Sequence, residues 1–296
     1  MTGDTKKCLT ETTESAVLMI SCSDRQGLIA SVSTFIHERN GNVIGLEQYV
    51  DPAGNHFFMR VEWALDGFSI PINDFGEAFD AAIGKRFNMV WELYPSSEKQ
   101  RMAVFVSKGS HCLYDILSRF QAGEWQVDIP LIISNHPDLE SAAKNLGIDF
   151  YCFPITKENK QIQEEKHLAL LKKYRIDFIV LARYMQILSG RFVSQYPYRV
   201  INIHHSFLPA FPGGRPYHSA HDRGVKIIGA TSHYVTAELD AGPIIAQDVV
   251  RVSHTDKVED FVRKGRDLEK VVLSRAIWGH LNKKILVFRN RTIVFV

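Results

Sequence analysis

Residues 199–209 read Arg-Val-Ile-Asn-Ile-His-His-Ser-Phe-Leu-Pro, an apolar run that turns polar and then meets a proline. The run predicts a buried strand. Asn202 and His204 occupy alternating positions, so both side chains leave the same face of the chain. Prolines and glycines continue to residue 213 and predict an irregular loop. An amide and an imidazole are therefore expected together at the carboxyl end of a strand.

The sequence around this segment alternates short apolar runs with longer amphipathic ones. Strands are predicted over residues 102–106, 127–133 and 178–181, and helices over residues 112–121, 139–146, 159–174 and 257–282. Alternation of this kind predicts an α/β fold with a doubly wound, mostly parallel sheet, in which a site lies at the carboxyl ends of the strands. We therefore expect a catalytic domain over residues 101–296.

A different order of elements comes first in the chain. Strands are predicted over residues 17–22, 43–50, 56–65 and 88–94, with helices from residue 28 and over residues 74–84. This βαββαβ order predicts a ferredoxin-like domain over residues 16–95. Residues 1–15 are polar and are expected to form a disordered tail, and residues 95–101 are the predicted domain boundary.

Composition excludes several classes of protein. A chain of 296 residues is long enough for two domains. Its net charge of +2 predicts neither nucleic-acid nor membrane binding. The four cysteines are scattered, which is typical of reduced thiols in a cytoplasmic protein. No apolar run approaches the roughly 20 residues that cross a bilayer, and the first fifteen residues lack the apolar core of a signal peptide.

A second polar cluster surrounds Asp240, in the stretch Glu-Leu-Asp-Ala-Gly-Pro of residues 238–243. It follows a strand predicted over residues 227–235. An acidic residue here can be a plain turn residue, or a carboxylate that orients a histidine. Together with Asn202 and His204 it suits acyl transfer, since the amide stabilises an oxyanion and the imidazole moves a proton. Spacing alone leaves both readings open.

Several of these stretches together resemble the folate-dependent formyltransferase family. They are Asn-x-His with Ser-x-Leu-Pro after it, Leu-Asp-x-Gly-Pro-Ile-Ile, the whole of residues 229–236, and Met-Gln-Ile-Leu-Ser at residues 185–189. They occur in the family's order across residues 102–255. The resemblance implies that the catalytic residues are Asn202, His204 and Asp240, and that the folate site is formed by Met185, Gln186, Ile187 and Leu188.

The acceptor of the formyl group depends on the first βα turn. In family members that formylate glycinamide ribonucleotide, this turn reads Gly-x-Gly-Ser-Asn and receives the substrate phosphate. Here Gly109 and Ser110 remain, but Ser107 and His111 replace the first glycine and the asparagine. A histidine at that helix start either caps the helix or shapes a closed site that admits only water.

Water as acceptor matches the deformylase branch of the family. The resemblance then implies hydrolysis of 10-formyltetrahydrofolate to formate and tetrahydrofolate, which balances one-carbon folate pools and supplies formate for purine synthesis. The alternative is formyl transfer to an amine such as glycinamide ribonucleotide. No cofactor or metal is expected: His218 and His221 have helical spacing, but this hydrolysis needs no Lewis acid. His205 is expected to point away from His204. His233 is expected to be a packed histidine, and its place in the family-like stretch leaves a minor role near the site open.

The N-terminal unit resembles an ACT domain, which deformylases carry at this end. The resemblance rests on Asp24, Arg25, Gly27 and Leu28 between the first strand and helix. It implies a small amino-acid effector at this turn and a homo-oligomer, either a dimer or a tetramer. The competing interpretations are a dimerisation module without a ligand and a non-catalytic amino-acid sensor built on an inactive enzyme scaffold.

Overall fold

The computed structural model of the protein describes residues 14–209 and 216–295. The chain divides into two compact units, Met1–Glu98 and Lys99–Val294. Most of the predicted tail, residues 1–13, and residues 210–213 of the predicted irregular loop lie outside the described residues.

The first unit is built on a four-stranded antiparallel sheet. Its elements are β1 (Ser15–Ser23), α1 (Leu28–His37), β2 (Asn42–Asp51), β3 (His56–Ala64), α2 (Phe75–Phe79) and β4 (Val90–Pro95). The strand order is β2-β3-β1-β4. The predicted helix over residues 74–84 is divided, because α2 continues as a π-helical turn over Asp80–Gly84.

Aromatic side chains fill the core of this unit. Trp63 stacks on Phe75, and Phe35 meets both Phe75 and Phe79 edge to face at 5.3–5.7 Å. The helix α1 contributes Leu28, Val32, Phe35 and Ile36 at helical spacing, and all four are buried. The apolar stripe of the sequence is therefore the face that packs on the sheet.

The second unit contains nine strands and six helices within its described residues. The strands are β5 (Gln100–Val106), β6 (Val127–Ser134), β7 (Asp149–Cys152), β8 (Phe178–Ala182), β9 (Val200–His204), β10 (Ile227–Tyr234), β11 (Ile244–Arg251), β12 (Ile285–Phe288) and β13 (Arg291–Val294). The helices are α3 (His111–Gln121), α4 (Glu140–Lys144), α5 (Lys160–Lys173), α6 (Gly190–Val193), α7 (Pro216–Asp222) and α8 (Val258–Leu281).

Seven of these strands form one sheet in the order β11-β10-β9-β8-β5-β6-β7. Neighbours from β7 to β9 run parallel, whereas β10 is antiparallel to both β9 and β11. The mostly parallel α/β sheet predicted from the sequence is present. The carboxyl ends of β5, β8 and β9 meet at one edge, where sites of such sheets form.

The helix α8 covers the sheet near this edge. It buries an apolar stripe that includes Leu268, Val272, Leu273 and Ala276 against β9, β10 and β11, and one acidic residue, Glu269, is fully buried in the same face. No helix in the described residues is long and apolar enough to cross a membrane.

Candidate active site

Asn202 and His204 are the last alternating residues of β9, as the sequence predicts. The neighbouring β10 runs antiparallel and places His233 directly opposite Asn202, and Thr231 opposite His204. His204 and His233 are buried, with 7% and 2% of their surface exposed, while Asn202 is half-buried. The pairing of β9 with β10 therefore collects an amide and two imidazoles at one end of the sheet.

Asp240 reaches this group from the loop between β10 and β11. Its φ of 55° lies in the left-handed region, and its Oδ1 is 3.4 Å from Nδ1 of His204. The loop passes so close to the end of β10 that a Cβ on Gly242 would lie 1.8 Å from the main-chain oxygen of Tyr234. Only glycine fits at residue 242. The close approach that it permits places Asp240 beside the histidine.

The carboxylate of Asp240 determines which ring nitrogen of His204 carries the proton. A hydrogen bond from His204 lowers the pKa of the Asp240 carboxyl, against the opposing effect of partial burial. The ionised carboxylate faces Nδ1 and favours the tautomer in which this nitrogen carries a proton. Nε2 of His204 is buried and has no hydrogen-bond partner among the described residues, which leaves it available to accept a proton.

The orientation of the Asn202 amide follows from the tautomer of His233. Nδ1 of His233 is 3.0 Å from the carbonyl oxygen of Tyr234, so this nitrogen must donate. Burial lowers the pKa of His233, which is therefore neutral and has a lone pair on Nε2. Nδ2 of Asn202, 3.2 Å away, donates to that lone pair and keeps a second N–H free. The 3.8 Å from Nε2 to Asp240 is too long for a hydrogen bond.

The chain after β9 is held by β10 and β11. Thr231 donates its hydroxyl to the carbonyl of Ser206 and accepts from the amide of Leu208, at 2.9 and 3.0 Å. The side-chain amide of Gln247 donates to the carbonyl of Leu208 and to the same threonine oxygen. These bonds fix the direction in which the polypeptide leaves His204.

The predicted folate residues lie in the loop after β8, next to β9. Met185 and Ile187 are more than half exposed, whereas Leu188 is buried. In the part of the chain that the structure describes, no hydrogen bond engages the main chain of residues 186–188. The loop ends at Ser189, whose amide and hydroxyl both donate to the buried carboxylate of Glu164. The loop thus presents free main-chain groups and apolar side chains at the edge of the sheet.

The first βα turn, after β5, lies next to a buried carboxylate, that of Glu269 on α8. The sequence analysis did not predict this residue as part of a site. His111 does not cap α3 with its side chain; its Nε2 lies 2.8 Å from Oε2 of Glu269. Tyr217 donates to Oε1 of Glu269 at 2.5 Å, and Nε of Arg183 is 3.5 Å from Oε2. Burial by itself would raise the pKa of Glu269, but His111, Arg183 and Tyr217 together hold it below its usual value.

The three residues predicted at the first turn line a cavity, and the prediction that only water enters it stays a prediction. A cavity of about 280 Å³ lies beside Gly109, Ser110 and His111. Liquid water takes about 30 Å³ per molecule, so the cavity has room for more than one. His111 lines it, and its ring is held by Glu269.

One group of side chains has donor atoms close enough to surround a metal ion. His111, Cys112 and Glu269 place one such atom each within 4.8 Å of one another. Burial raises the pKa of the Cys112 thiol far above its usual value, so the sulfur stays protonated and is a poor ligand. Glu269 already accepts hydrogen bonds from two neighbours. The chemistry of these donors fits a hydrogen-bonded cluster better than a metal site.

The structure places His205, His218 and His221 in different surroundings. His205 was expected to point away from His204, but the strand ends between them and their rings stack with centroids 5.1 Å apart. His205 is buried, and burial lowers its pKa to about 3. His221 contacts Asp222 and the ring of Phe261 on α7 and α8, and His218 is exposed.

Comparison with known proteins identifies the family. Residues 100–277 match the model of the formyl transferase family. A formyltetrahydrofolate deformylase from Synechocystis sp. is 55% identical over 280 residues, which cover 95% of this chain and 98% of that protein. The chain belongs to the formyltetrahydrofolate deformylase family. A crystal structure of a deformylase from Pseudomonas syringae superposes with a TM-score of 0.94 at 44% identity, covering 97% of this chain and 96% of that one.

The deformylase family differs from its transformylase relatives in how much of this chain it matches. A glycinamide ribonucleotide transformylase from Symbiobacterium toebii has a TM-score of 0.62 and 30% identity. It covers 69% of this chain but 98% of its own. The formyltetrahydrofolate deformylases align with nearly the full length of this chain, whereas the transformylase aligns with about two thirds of it.

Proposed function

We propose that the protein hydrolyses 10-formyltetrahydrofolate to formate and tetrahydrofolate, with Asn202, His204 and Asp240 as catalytic residues. The observation that carries this proposal is the buried Nε2 of His204. It has no hydrogen-bond partner in residues 14–209 and 216–295, while Nδ1 faces the Asp240 carboxylate at 3.4 Å. An imidazole held in this way is a general base. Full-length similarity to formyltetrahydrofolate deformylases supports the choice of substrate.

The proposed reaction begins with attack of water on the formyl carbon. His204 takes a proton from the water at Nε2, and the new C–O bond leaves negative charge on the former carbonyl oxygen. The free N–H of Asn202 donates to this oxyanion, a contact whose loss typically costs about 3–4 kcal/mol of barrier. The hydrogen bond between His204 and Asp240, at 3.4 Å, lies at the long end of the range, as is common before substrate binds.

The second half of the reaction returns the proton. His204 donates it to N10 of the folate, the C–N bond breaks, and tetrahydrofolate leaves with that nitrogen protonated. The remaining formic acid loses its proton to solvent and becomes formate. Proton transfer of this kind contributes about 10²–10⁴-fold to a rate. The Asp240 carboxylate stabilises the imidazolium that exists between the two steps.

The loop after β8 is the proposed folate site. Its unengaged main chain at residues 186–188 supplies the donors and acceptors that a pterin ring needs, and Met185 and Ile187 supply apolar contact. The free N–H of Asn202 and Nε2 of His204 lie on the adjacent strand β9. The formyl group of a folate bound here would reach them.

Incubation of the purified protein with 10-formyltetrahydrofolate alone tests the hydrolysis. We expect formate and tetrahydrofolate in equal amounts, with the rate lowered about 10²–10⁴-fold in His204→Ala and in Asp240→Asn. Asp248→Asn is the matched control, because Asp248 pairs with Arg275 at the surface. Turnover only after addition of glycinamide ribonucleotide would contradict hydrolysis and favour formyl transfer.

We also propose that residues 16–95 form an ACT domain that joins copies of the chain. Support comes from the βαββαβ order of its elements and from the edge strand β2, which exposes Val43, Ile44, Leu46 and Tyr49. The turn that holds Asp24, Arg25 and Gly27 is the proposed effector site, and Gly27 has a φ of 86° there. The side chain of Leu28 is buried in the core, so only its main chain would meet an effector.

A further inference from the structure

The cavity at the first βα turn lies at the same sheet edge as the candidate active site. It is bordered by the turn before α3, by Arg183 after β8, by Tyr217 on α7, and by Arg266 and Glu269 on α8. His205 also lines it, and the ring of His205 stacks on that of His204. The cavity is therefore one side chain away from the catalytic imidazole.

Positive charge exceeds negative charge around this cavity. Lys108, Arg183 and Arg266 line it, against the single carboxylate of Glu269. Glu269 is satisfied by His111, Tyr217 and Arg183. Lys108 and Arg266 are exposed and form no ion pair with any residue of 14–209 or 216–295. Two cations are thus left without a counter-charge.

Two buried nitrogen atoms in the lining lack partners. Nε2 of His205 and Nη1 of Arg183 are both inaccessible to solvent, and neither has a hydrogen-bond partner in the described part of the chain. His205 is 94% buried, since only 6% of its surface is exposed. Buried polar groups are normally satisfied, and each one left unpaired costs about 1–3 kcal/mol. Both residues line the cavity, so an acceptor bound there lies next to the two unpaired groups.

Arg183 has a backbone conformation that is uncommon for a residue other than glycine. Its φ is 62°, in the left-handed region, although it is not glycine. A residue held there costs of order 1–3 kcal/mol, and such residues cluster at functional sites. The guanidinium of Arg183 lies 3.5 Å from Glu269 through Nε, and Arg183 lines the cavity.

We propose that this cavity binds a small oxyanion, and that its natural occupant is formate released by the hydrolysis. The proposal rests on the proposed function, because formate is the product of that reaction. The formyl group of the substrate is neutral and formate carries a negative charge, so the unpaired cations attract the product and not the group from which it forms. The cavity would draw formate away from His204 once the C–N bond has broken.

Product inhibition tests the site. Initial rates of tetrahydrofolate release are measured with increasing sodium formate, at an ionic strength kept constant with sodium chloride. We expect formate to inhibit the wild-type protein, and Arg266→Gln and Lys108→Gln each to raise the inhibition constant about tenfold, the usual effect of losing one charge-assisted contact. Arg263→Gln is the matched control, since Arg263 lies on α8 but pairs with Asp260 outside the cavity.

A second readout does not depend on turnover. Line broadening of ¹³C-formate by the protein reports binding directly, and it should diminish in Arg266→Gln and persist in Arg263→Gln. Equal inhibition and broadening in all variants would overturn the proposal, because it would place formate at Asn202 and His204 themselves. Rates without added formate test the hydrolysis separately, so failure of one proposal is distinguishable from failure of the other.

The identity of the anion is tested with inorganic phosphate in both assays. Weaker effects of phosphate than of formate support the product site. Binding of phosphate without binding of formate would overturn the assignment to the product, and would indicate a phosphorylated ligand from elsewhere. Absence of binding by either anion would overturn the site altogether.

Discussion

His233 is the single residue whose role changes most between the sequence and the structure. Its Nδ1 donates to the carbonyl of Tyr234, and its Nε2 accepts from the amide of Asn202. A neutral histidine with that tautomer fixes which end of the Asn202 amide faces it, and so leaves an N–H free for the proposed contact with an oxyanion. We infer that His233 is a positioning residue that acts through Asn202.

Substitution of His233 separates positioning from packing. His233→Leu keeps an apolar side chain but removes the acceptor for Asn202, and we expect kcat to fall about 10- to 100-fold, part of the effect of losing an oxyanion donor. KM should change little, because the folate loop is untouched. His233→Gln offers a carbonyl to Asn202 and an N–H to Tyr234, and should retain most of kcat. Equal losses in the two variants, measured by steady-state kinetics, would refute positioning.

The sequence predicted Asn202 and His204 because polar residues at the end of an apolar run are a local signal. His233 gave no such signal, since its contact with Asn202 depends on the antiparallel register of β9 and β10. Glu269 was missed for a related reason. A lone carboxylate inside the apolar stripe of α8 was visible, but its partner His111 lies 158 residues away in the chain.

At the scale of whole elements, the loop between β10 and β11 has several strict requirements on its backbone conformation. It must turn the chain back antiparallel to β10 while holding Asp240 at a φ of 55°. The amide of Tyr234 donates to the carbonyl of Pro243, which closes the loop at 2.9 Å. Gly242 lies inside this closure, in contact with the main chain of β10. The position of the carboxylate therefore depends on a residue that has no side chain.

Substitution of Gly242 by alanine should displace this loop. The new Cβ would lie 1.8 Å from the carbonyl oxygen of Tyr234, which is rigid backbone, so the loop must move by an ångström or more. A misplacement of this size can cost about 10²-fold in rate, and we expect that loss in kcat. Gly190→Ala is the control, because its Cβ would meet its nearest neighbour, in Ala237, at an ordinary 3.6 Å. Wild-type kcat in Gly242→Ala would show that the loop does not position Asp240.

Sequence periodicity predicted most of the long elements, but not β11, and it missed the shortest strands. The buried strands β5, β6 and β8 are apolar runs, and α8 is a long amphipathic pattern, so each has a local signature. The strands β7, β12 and β13 have four residues each and no fully buried face. They exist because a neighbouring strand supplies hydrogen bonds, which a local pattern does not record. The family itself is confirmed by full-length relatives.

For the protein as a whole, several buried histidines make stability depend on pH. Burial lowers the pKa of His167 to about 4, and those of His205 and His280 to about 3. An unfolded chain protonates these rings below about pH 6.5, while the native state excludes the proton. The native state is therefore fully favoured above pH 6.5 and loses free energy of unfolding as the pH falls toward 4. The loss is about 1.4 kcal/mol per pH unit for each such ring.

His167 provides the clearest test, because it lies among Phe105 and Phe153 and neither of its ring nitrogens has a partner in the described residues. His167→Leu removes the titrating group and keeps the site apolar. The substitution changes the free energy of unfolding relative to wild type at both pH values. We expect this change to be about 2 kcal/mol more favourable at pH 5 than at pH 8. Urea denaturation followed by circular dichroism at both pH values measures this difference.

The neighbouring substitution Leu171→Val separates a proton effect from a packing effect in the same experiment. Leu171 is fully buried on α5, the same helix, but does not titrate. Loss of one methylene there should lower the free energy of unfolding by about 1 kcal/mol, equally at pH 5 and pH 8. If His167→Leu also shifted stability equally at the two pH values, the ring would not be excluding a proton. The acid sensitivity of the fold would then have to come from the other buried rings.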